Sequence, residues 1–315
     1  MLAVYKYDDT EKQLRKQARI EPDVWINAID PTPDELATLQ AKTHVPEAFL
    51  LYGLDEDESA RFEYDEDADA SLIIFDNPTV TRDDHRNFAY ETDPLAIILT
   101  KRAIITINKT DVPLLTQFSD NRVSHFNPRF RQRAALQIMY QVTVSYLTYL
   151  REINKHRIQI ERQLQRNLKN QELFGLMGIQ RSLVYFMMSL RTDRNVLENL
   201  KRANTLHLDE DDLDYLDDIM IENQQGMEMA SISNSIINET ADTYSSVINN
   251  NMNGVMKMLT SYSIILTVPT LVFSFYGMNV KLPFAGDTFS WITTIGISAL
   301  IAIVLAIQFW HRKLF

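Results

Sequence analysis

Residues 259–276, LTSYSIILTVPTLVFSFY, form an uncharged stretch that ends directly before Gly277-Met278-Asn279. As a helix this stretch would be about 27 Å long, at about 1.5 Å per residue, close to the roughly 30 Å hydrocarbon thickness of a bilayer. A second uncharged stretch covers residues 289–309. Two such runs are rare in the core of a soluble protein. The sequence therefore predicts a membrane protein with two C-terminal transmembrane helices.

The charges around the two spans predict their orientation. The outer loop, 277–288, is short, so both ends of the chain lie on the same side of the membrane. Arg312 and Lys313 follow the second span in a basic tail, 310–315, whereas the loop offers only Lys281 against Asp287. By the positive-inside rule, the protein is expected to be a multi-pass protein of the inner or plasma membrane, with both termini in the cytoplasm.

Composition excludes several classes of function. The formal net charge is −11, which disfavours nucleic acid as a partner and suits a surface that attracts cations. Without cysteine there is no disulfide, thiolate zinc site or thiol nucleophile. The six histidines are scattered, with no pair at metal-ligand spacing, and the sequence has no phosphate loop or nucleophile elbow. We therefore do not expect an enzyme.

The segment before the spans divides into two parts. Residues 1–125 alternate short β-rich runs, at 24–30, 71–75 and a hairpin over 95–107, with a helix capped by Thr32 and started by Pro33, which predicts an α/β cytoplasmic domain. Residues 126–258 carry apolar side chains at helical spacing over long distances, which predicts long helices, with a turn near 164–172. The last of these is expected to continue unbroken into the first span, 259–276.

A polar stripe follows one face of this last helix into the membrane. Hydroxyl, amide and small side chains recur at alternating spacings of three and four residues, which is a heptad pattern. The stripe comprises Asn253, Met256, Thr260, Ser263, Thr267, Thr270, Ser274 and Gly277. Such a face turns either towards close helix packing or towards water. A single hairpin encloses no aqueous path, so a water-lined stripe requires several copies of the chain around it.

The sequence Tyr276-Gly277-Met278-Asn279, placed between two terminal spans and after this stripe, resembles the signature of the CorA family of magnesium channels and transporters. The lead-in at 253–260 also resembles the family. The resemblance implies a funnel-shaped homopentamer in the membrane lipid, in which the first spans line a pore for passive influx of Mg²⁺, with Co²⁺ or Ni²⁺ as further ions. The outer loop departs from the family pattern, because Pro283 is not followed by a glutamate.

The resemblance also implies roles for particular residues. Gly277, Met278 and Asn279 would form the selectivity filter. Neutral oxygens from a ring of Asn279 side chains can accept hydrogen bonds from the water shell that Mg²⁺ releases reluctantly, and still let the ion leave. Gly277 is expected to free the backbone to turn there. The expected pore-lining residues, from the resemblance and the stripe together, are Asn253, Met256, Leu259, Thr267, Thr270 and Ser274.

Carboxylates near the start of the last long helix suggest a regulatory metal site. Asp214, Asp218 and Glu222 follow each other at intervals of four residues, where like charges on one helix face repel unless a cation lies between them. In the family, cytoplasmic Mg²⁺ bound between subunits closes the pore, and Asp218 matches an acidic residue of that site. Mg²⁺ is thus expected both as the transported ion and as a regulator.

Two other functions remain open at this point. The zinc-transporting branch of the same scaffold usually carries Ile where this chain has Met278, so the motif favours magnesium over zinc. A protein of a different class, a membrane-anchored scaffold or sensor, would use the spans only as a tether, and the polar stripe only for packing.

Overall fold

The computed structural model describes residues 1–82, 88–166, 170–203, 205–278 and 289–312. The chain forms two units, Met1–Asn238 and Glu239–Phe315. The strands are β1 Leu2–Asp8, β2 Gln13–Gln17, β3 Val24–Ile29, β4 Arg61–Asp65, β5 Ala70–Arg82, β6 Phe88–Leu99 and β7 Ala103–Asn108. The helices are α1 Pro33–Thr43, α2 Glu47–Tyr52, α3 Pro113–Ser119, α4 Arg131–Arg166, α5 Asn170–Ala203, α6 Glu210–Tyr276 and α7 Ser290–His311.

The first unit is built on a seven-stranded sheet in the order β2-β1-β3-β7-β6-β5-β4. Strands β3 and β7 are parallel, and the other neighbours are antiparallel. The predicted strands at 24–30 and 71–75 are confirmed as β3 and part of β5. The predicted hairpin is confirmed as β6 and β7, with Leu99 opposite Ile104. Every residue of β7 is buried, because helices cover both faces of the sheet.

One face of the sheet packs against α1 and α2. Leu39 of α1 and Phe49 and Leu50 of α2 join a cluster of buried aliphatic side chains from β3, β5, β6 and β7. Helix α1 begins as predicted, since Thr32 accepts the N–H of Glu35 and the Glu35 carboxylate accepts the N–H of Thr32. This reciprocal pair satisfies two backbone donors at the helix start and fixes where α1 begins.

The opposite face packs against the longer helices. The fully buried Trp25 of β3 contacts the rings of Phe118 and Phe126, and its indole N–H donates to Thr106 Oγ1 at 3.0 Å. Helices α4 and α5 pack along β5 and β6, with Tyr146 and Phe186 buried between the helices and the sheet. The first unit is therefore a three-layer α/β/α structure.

The long helices agree with the periodicity of the sequence. The predicted turn at 164–172 falls between α4 and α5, and its centre, 167–169, lies outside the described residues. Helix α6 contains 67 residues and runs unbroken from Glu210 to Tyr276, as the lack of an internal stop signal predicted. It contributes residues to both units.

Candidate functional site: the polar face of the membrane helices

Two helices of the second unit are long and apolar enough to cross a membrane. The most apolar window of α6 has a mean hydropathy of 1.6 and only 6% of it is buried, while that of α7 has a mean hydropathy of 2.3 with 11% buried. The residues that the structure describes leave side chains such as Leu266, exposed by 71%, and Trp310, exposed by 76%, uncovered. So much exposed apolar surface requires lipid or further protein around it.

A third helix, α5, also meets the length and apolarity of a span, with a mean hydropathy of 1.3 over its most apolar window. This helix was not predicted as a span from the sequence. Of that window 39% is buried, a larger share than in α6 or α7, and α5 packs against β6. We interpret α5 as a core helix of the α/β unit, because the sheet accounts for its apolar face.

The residues expected to line a pore all lie on uncovered surface of α6. The side chains of Asn253, Met256, Leu259, Thr267, Thr270 and Ser274 are exposed in the single chain. In contrast, Ser261 of the same helix is buried, as are Thr294 and Ser298 of α7. The polar side chains of this unit thus fall into an exposed set and a buried set on different helix faces.

The hydroxyl groups of the exposed stripe donate their protons back to their own helix. Ser263 Oγ donates to the carbonyl oxygen of Leu259 at 2.9 Å, and Thr267 Oγ1 donates to that of Ser263 at 2.7 Å. Thr270 Oγ1 donates to the carbonyl oxygen of Leu266 at 3.4 Å. A hydroxyl has one proton and two lone pairs, so each of these groups presents acceptors to whatever faces the stripe. Acceptors suit the water molecules of a hydrated cation.

The stripe ends at the family-like motif. Gly277 donates its N–H to the carbonyl oxygen of Phe273 at 2.9 Å, so the helical turn continues to this residue. Helix α6 ends at Tyr276, directly before Gly277, and the backbone of Gly277 is not in the left-handed region. Because residues 279–288 lie outside the described ones, the expected turn at Gly277 stays a prediction. Met278 follows with its N–H directed to the carbonyl of Phe275 at 3.3 Å. Asn279 lies outside the described residues, so its predicted filter role remains a prediction.

Pro269 lies inside α6, five residues after Ile264 and three after Leu266. A proline has no N–H, so the carbonyl oxygen four residues earlier loses its helical partner. The helix continues past it to Tyr276. Transmembrane helices tolerate this because neighbouring groups or water can take up the freed carbonyl.

The acids of the expected regulatory site begin α6. Asp214 and Asp218 are exposed and Glu222 is half-buried. Among the residues that the structure describes, no group of three or more histidine, cysteine, aspartate or glutamate side chains is arranged to hold a metal. The three carboxylates therefore suit a metal only with oxygens from outside the chain, such as a second copy. Their neighbour Asp217 differs, since it pairs with Lys201 Nζ at 2.5 Å.

One feature of the second unit was not predicted from the sequence. A groove of about 390 Å³ is lined by Asn250, Asn253, Met256, Lys257, Thr260, Ser261, Ile264 and Phe309. It places an amide, an ammonium and hydroxyls next to apolar side chains at one end of the hairpin. Asn253, Met256 and Thr260 of this groove belong to the stripe itself, and Lys257, Ser261 and Ile264 lie one position after a stripe residue.

These features define a class: a membrane protein with an α/β unit in its N-terminal part and an apolar helical hairpin at its C-terminal end, whose first helix carries an exposed hydroxyl-rich face. The chain belongs to the CorA family, since the family model described as "CorA-like Mg2+ transporter protein" matches residues 23–313.

Individual relatives agree with this assignment. The chain is 28% identical to the cobalt/magnesium transport protein CorA of Methanocaldococcus jannaschii over 270 residues, which cover 84% of this chain and 82% of that protein. The solved complete structure of the CorA magnesium transporter from the same organism superposes with a TM-score of 0.87 at 24% identity, covering 98% of this chain and 97% of that one. The full-length CmaX protein superposes with a TM-score of 0.69 at 18% identity, covering 99% and 96%.

Proposed function

We propose that the protein is a divalent-cation channel that carries Mg²⁺, together with Co²⁺ or Ni²⁺, into the cell through a pore at the centre of a homopentamer. The first spans of five chains line the pore, and the filter is formed by Gly277, Met278 and Asn279. The protein lies in the inner or plasma membrane with both termini in the cytoplasm. Membership of the CorA family supports transport rather than catalysis.

The observation that carries the proposal is the exposed hydroxyl stripe. In lipid, a row of polar side chains on an otherwise apolar helix is unfavourable, and it is retained where it faces a helix or water. Back-bonded hydroxyls such as those of Ser263 and Thr267 offer lone pairs but no protons outward. Packing between helices also uses small and hydroxyl side chains. The continuation of the stripe along the whole first span up to Gly277 supports a path for hydrated cations.

Energetics favour passive influx. A divalent ion moving inward gains roughly 4.6 kcal/mol per 100 mV of membrane potential, because each elementary charge gains about 2.3 kcal/mol. This drives Mg²⁺ inward without a chemical fuel.

The regulatory part of the proposal is that cytoplasmic Mg²⁺ binds at Asp218, with Asp214 and Glu222 nearby, and closes the pore by joining neighbouring subunits. The exposure of Asp214 and Asp218 leaves both carboxylates available to a second chain.

The experiment is flux into proteoliposomes that contain the purified protein and a Mg²⁺-sensitive dye. The unchanged protein is expected to admit Mg²⁺ when an inward potential is applied, and Asn279→Ala is expected to lose most of that flux. Equal flux through Asn279→Ala and the unchanged protein would contradict the filter and favour a tether or scaffold. Replacing Mg²⁺ by Zn²⁺ in the same vesicles distinguishes the zinc-transporting alternative, which predicts that Zn²⁺ is preferred.

A further inference from the structure

Strand β5 extends beyond the end of its neighbour β4, and there side chains from helices bond to the free backbone groups of β5. Strand β4 pairs with β5 up to Ile74, which lies opposite Arg61. Two residues further on, the backbone N–H of Asp76 donates to Asp193 Oδ1 of α5 at 2.9 Å. The carbonyl oxygen of Asp76 accepts the hydroxyl of Tyr146 of α4 at 3.1 Å. Side chains from α4 and α5 thus replace the missing strand at this position.

An aspartate such as Asp193 is an unusual residue to accept a backbone N–H at a buried strand edge. It is 0% exposed, and its second oxygen, Oδ2, is buried without a hydrogen-bond partner among the described residues. A single backbone N–H compensates little of the cost of burying a carboxylate charge. A neutral carboxyl group accepts the same N–H at much lower cost. The geometry therefore favours a proton on Asp193.

The surroundings provide no positive charge to reverse this preference. From β5, Asp76 places a second carboxyl group nearby, whose Oδ2 accepts the hydroxyl of Thr192 at 3.3 Å. From β6, Asp93 is the acidic group on this side, and from α4 the facing group is the Tyr146 hydroxyl. Among the described residues, no lysine, arginine or histidine forms an ion pair with either carboxyl group.

The directions in which the pKa values of Asp193 and Asp76 are shifted agree with this geometry. Burial, and then the charge of Asp76, raise the pKa of Asp193 well above its usual value. Burial also raises the pKa of Asp76, opposed by hydrogen bonds from Ser189 and Thr192. Because Asp76 is only half-buried whereas Asp193 is fully buried, Asp76 is the better place for the negative charge of the pair.

We propose that Asp193 is a proton-binding site that holds one proton at neutral pH beside the ionised Asp76, and that this proton keeps α5 attached to the edge of β5. The proton comes from solvent and returns to it, and no other bond changes. Loss of the proton in alkaline solution leaves two negative charges side by side at the contact between α5 and β5, one on the buried Asp193 and one on the half-buried Asp76.

The contact is connected to the start of α6. Arg194, the residue after Asp193, donates to the carbonyl oxygen of Met220 of α6 at 3.1 Å. The side-chain amide of Asn223 of α6 donates to the carbonyl of Leu190 of α5 at 3.1 Å. Two hydrogen bonds therefore join the part of α5 around Asp193 to residues 220–223 of α6. This proposal does not depend on ion transport.

The test is infrared spectroscopy of the purified full-length protein in detergent at neutral pH, which detects the C=O stretch of a protonated carboxyl group. The band is expected in the unchanged protein and in the half-exposed control Asp217→Asn, and is expected to be absent in Asp193→Asn. Absence of the band from the unchanged protein, or its persistence in Asp193→Asn, would overturn the proposal.

A second variant keeps Asp193 and changes its neighbour. In Asp76→Asn the like charge is gone, so the band is expected to remain at neutral pH but to disappear at a lower pH than in the unchanged protein, by about one pH unit or a tenfold change in proton affinity. A midpoint that is unchanged or higher would contradict the coupling between the two carboxyl groups on which the proposal rests.

Discussion

Thr267 donates its hydroxyl proton to the carbonyl oxygen of Ser263 at 2.7 Å, one turn earlier on the exposed face of α6. Ser263 does the same to Leu259. Such bonds leave the oxygen lone pairs on the outside of the helix while the protons point inward along it. Repeated along the stripe, they give this face acceptors and few donors, a polarity that attracts hydrated cations and not anions.

Replacing Thr267 with Val removes the acceptor and keeps the shape of the side chain. In a symmetric assembly the substitution removes a ring of acceptors, and a lost hydrogen bond of about 0.5–1.5 kcal/mol corresponds to roughly a 2- to 10-fold effect. We therefore expect Mg²⁺ flux into proteoliposomes to fall by about this factor. Size-exclusion chromatography of the variant is expected to match that of the unchanged protein.

Thr267→Ser is the matched control, because it keeps the oxygen and its bond to the carbonyl of Ser263. Its flux is expected to stay close to that of the unchanged protein. If the valine and serine variants transported Mg²⁺ equally well, the stripe would serve helix packing and not conduction.

A pair of glycines tests the packing of the α/β unit. A Cβ atom at Gly53, after α2, would lie 2.8 Å from the Cβ of Ala96 and 3.0 Å from the carbonyl oxygen of Ile107, both fixed in the sheet. Gly53→Ala is therefore expected to destabilise the protein by about 1–3 kcal/mol. The measurement is the unfolding temperature of the full-length protein in detergent.

Gly178 on α5 provides the opposite case, since nothing lies within 4 Å of a Cβ added there. Alanine at a helix position is favoured over glycine by about 0.5–1 kcal/mol. Gly178→Ala is therefore expected to leave the unfolding temperature unchanged or raise it slightly. A loss of stability at position 178 as large as that at position 53 would show that the close contact with Ala96 is not the cause.

Patterns that repeat along the chain made most of the fold predictable. The apolar alternation around Trp25 and the hairpin over 95–107 predicted β3, β6 and β7, because buried strands concentrate β-branched side chains. Thr32 as N-cap and Pro33 at the first helical position predicted the start of α1. Strands β1, β2 and β4 were not predicted. Strands β1 and β2 lie at one edge of the sheet and β4 at the other, and few of their residues are buried, so their alternation is weak in the sequence.

The candidate site was predictable only in part, for physical reasons. The spacing of Thr267 and Thr270 revealed one helix face, because helical periodicity is local. The burial of Asp193 was not predictable, since its neighbour across the fold, Asp76, is distant in sequence and "RTDRN" reads as a solvated helix surface. A contact between a helix and a sheet edge has no local sequence pattern.

The capping carboxylate of Glu35 predicts a dependence of stability on acid pH. The backbone N–H of Thr32, bonded to Glu35 Oε2 at 2.9 Å, is the first cause that lowers the pKa of Glu35, and the N–H of Leu2 also donates to this carboxylate. A lowered pKa means that the stabilisation is present above the usual pKa of glutamate and is lost as the pH falls through the lowered value.

Glu35→Gln is therefore expected to reduce the loss of thermal stability on acidification between about pH 6 and pH 3. The change is measured as the difference in unfolding temperature across this range, in detergent. Asp34→Asn, in the same helical turn, is the control. Equal acid sensitivity of Glu35→Gln and the unchanged protein would show that this carboxylate does not carry the dependence.

Regulation by Mg²⁺ is tested by comparing two neighbouring acids of α6. Asp218 is exposed and, with Asp214 and Glu222 at four-residue intervals, belongs to a row of like charges that a cation would relieve. Asp217 is already paired with Lys201.

Isothermal titration of the full-length protein in detergent is expected to give a Mg²⁺ affinity about tenfold weaker for Asp218→Ala, a change of about 1.4 kcal/mol. Asp217→Ala is expected to bind Mg²⁺ like the unchanged protein, because its carboxylate is already neutralised by an ammonium. Identical isotherms for Asp218→Ala and the unchanged protein would remove Asp218 from the regulatory site and leave gating to other carboxylates.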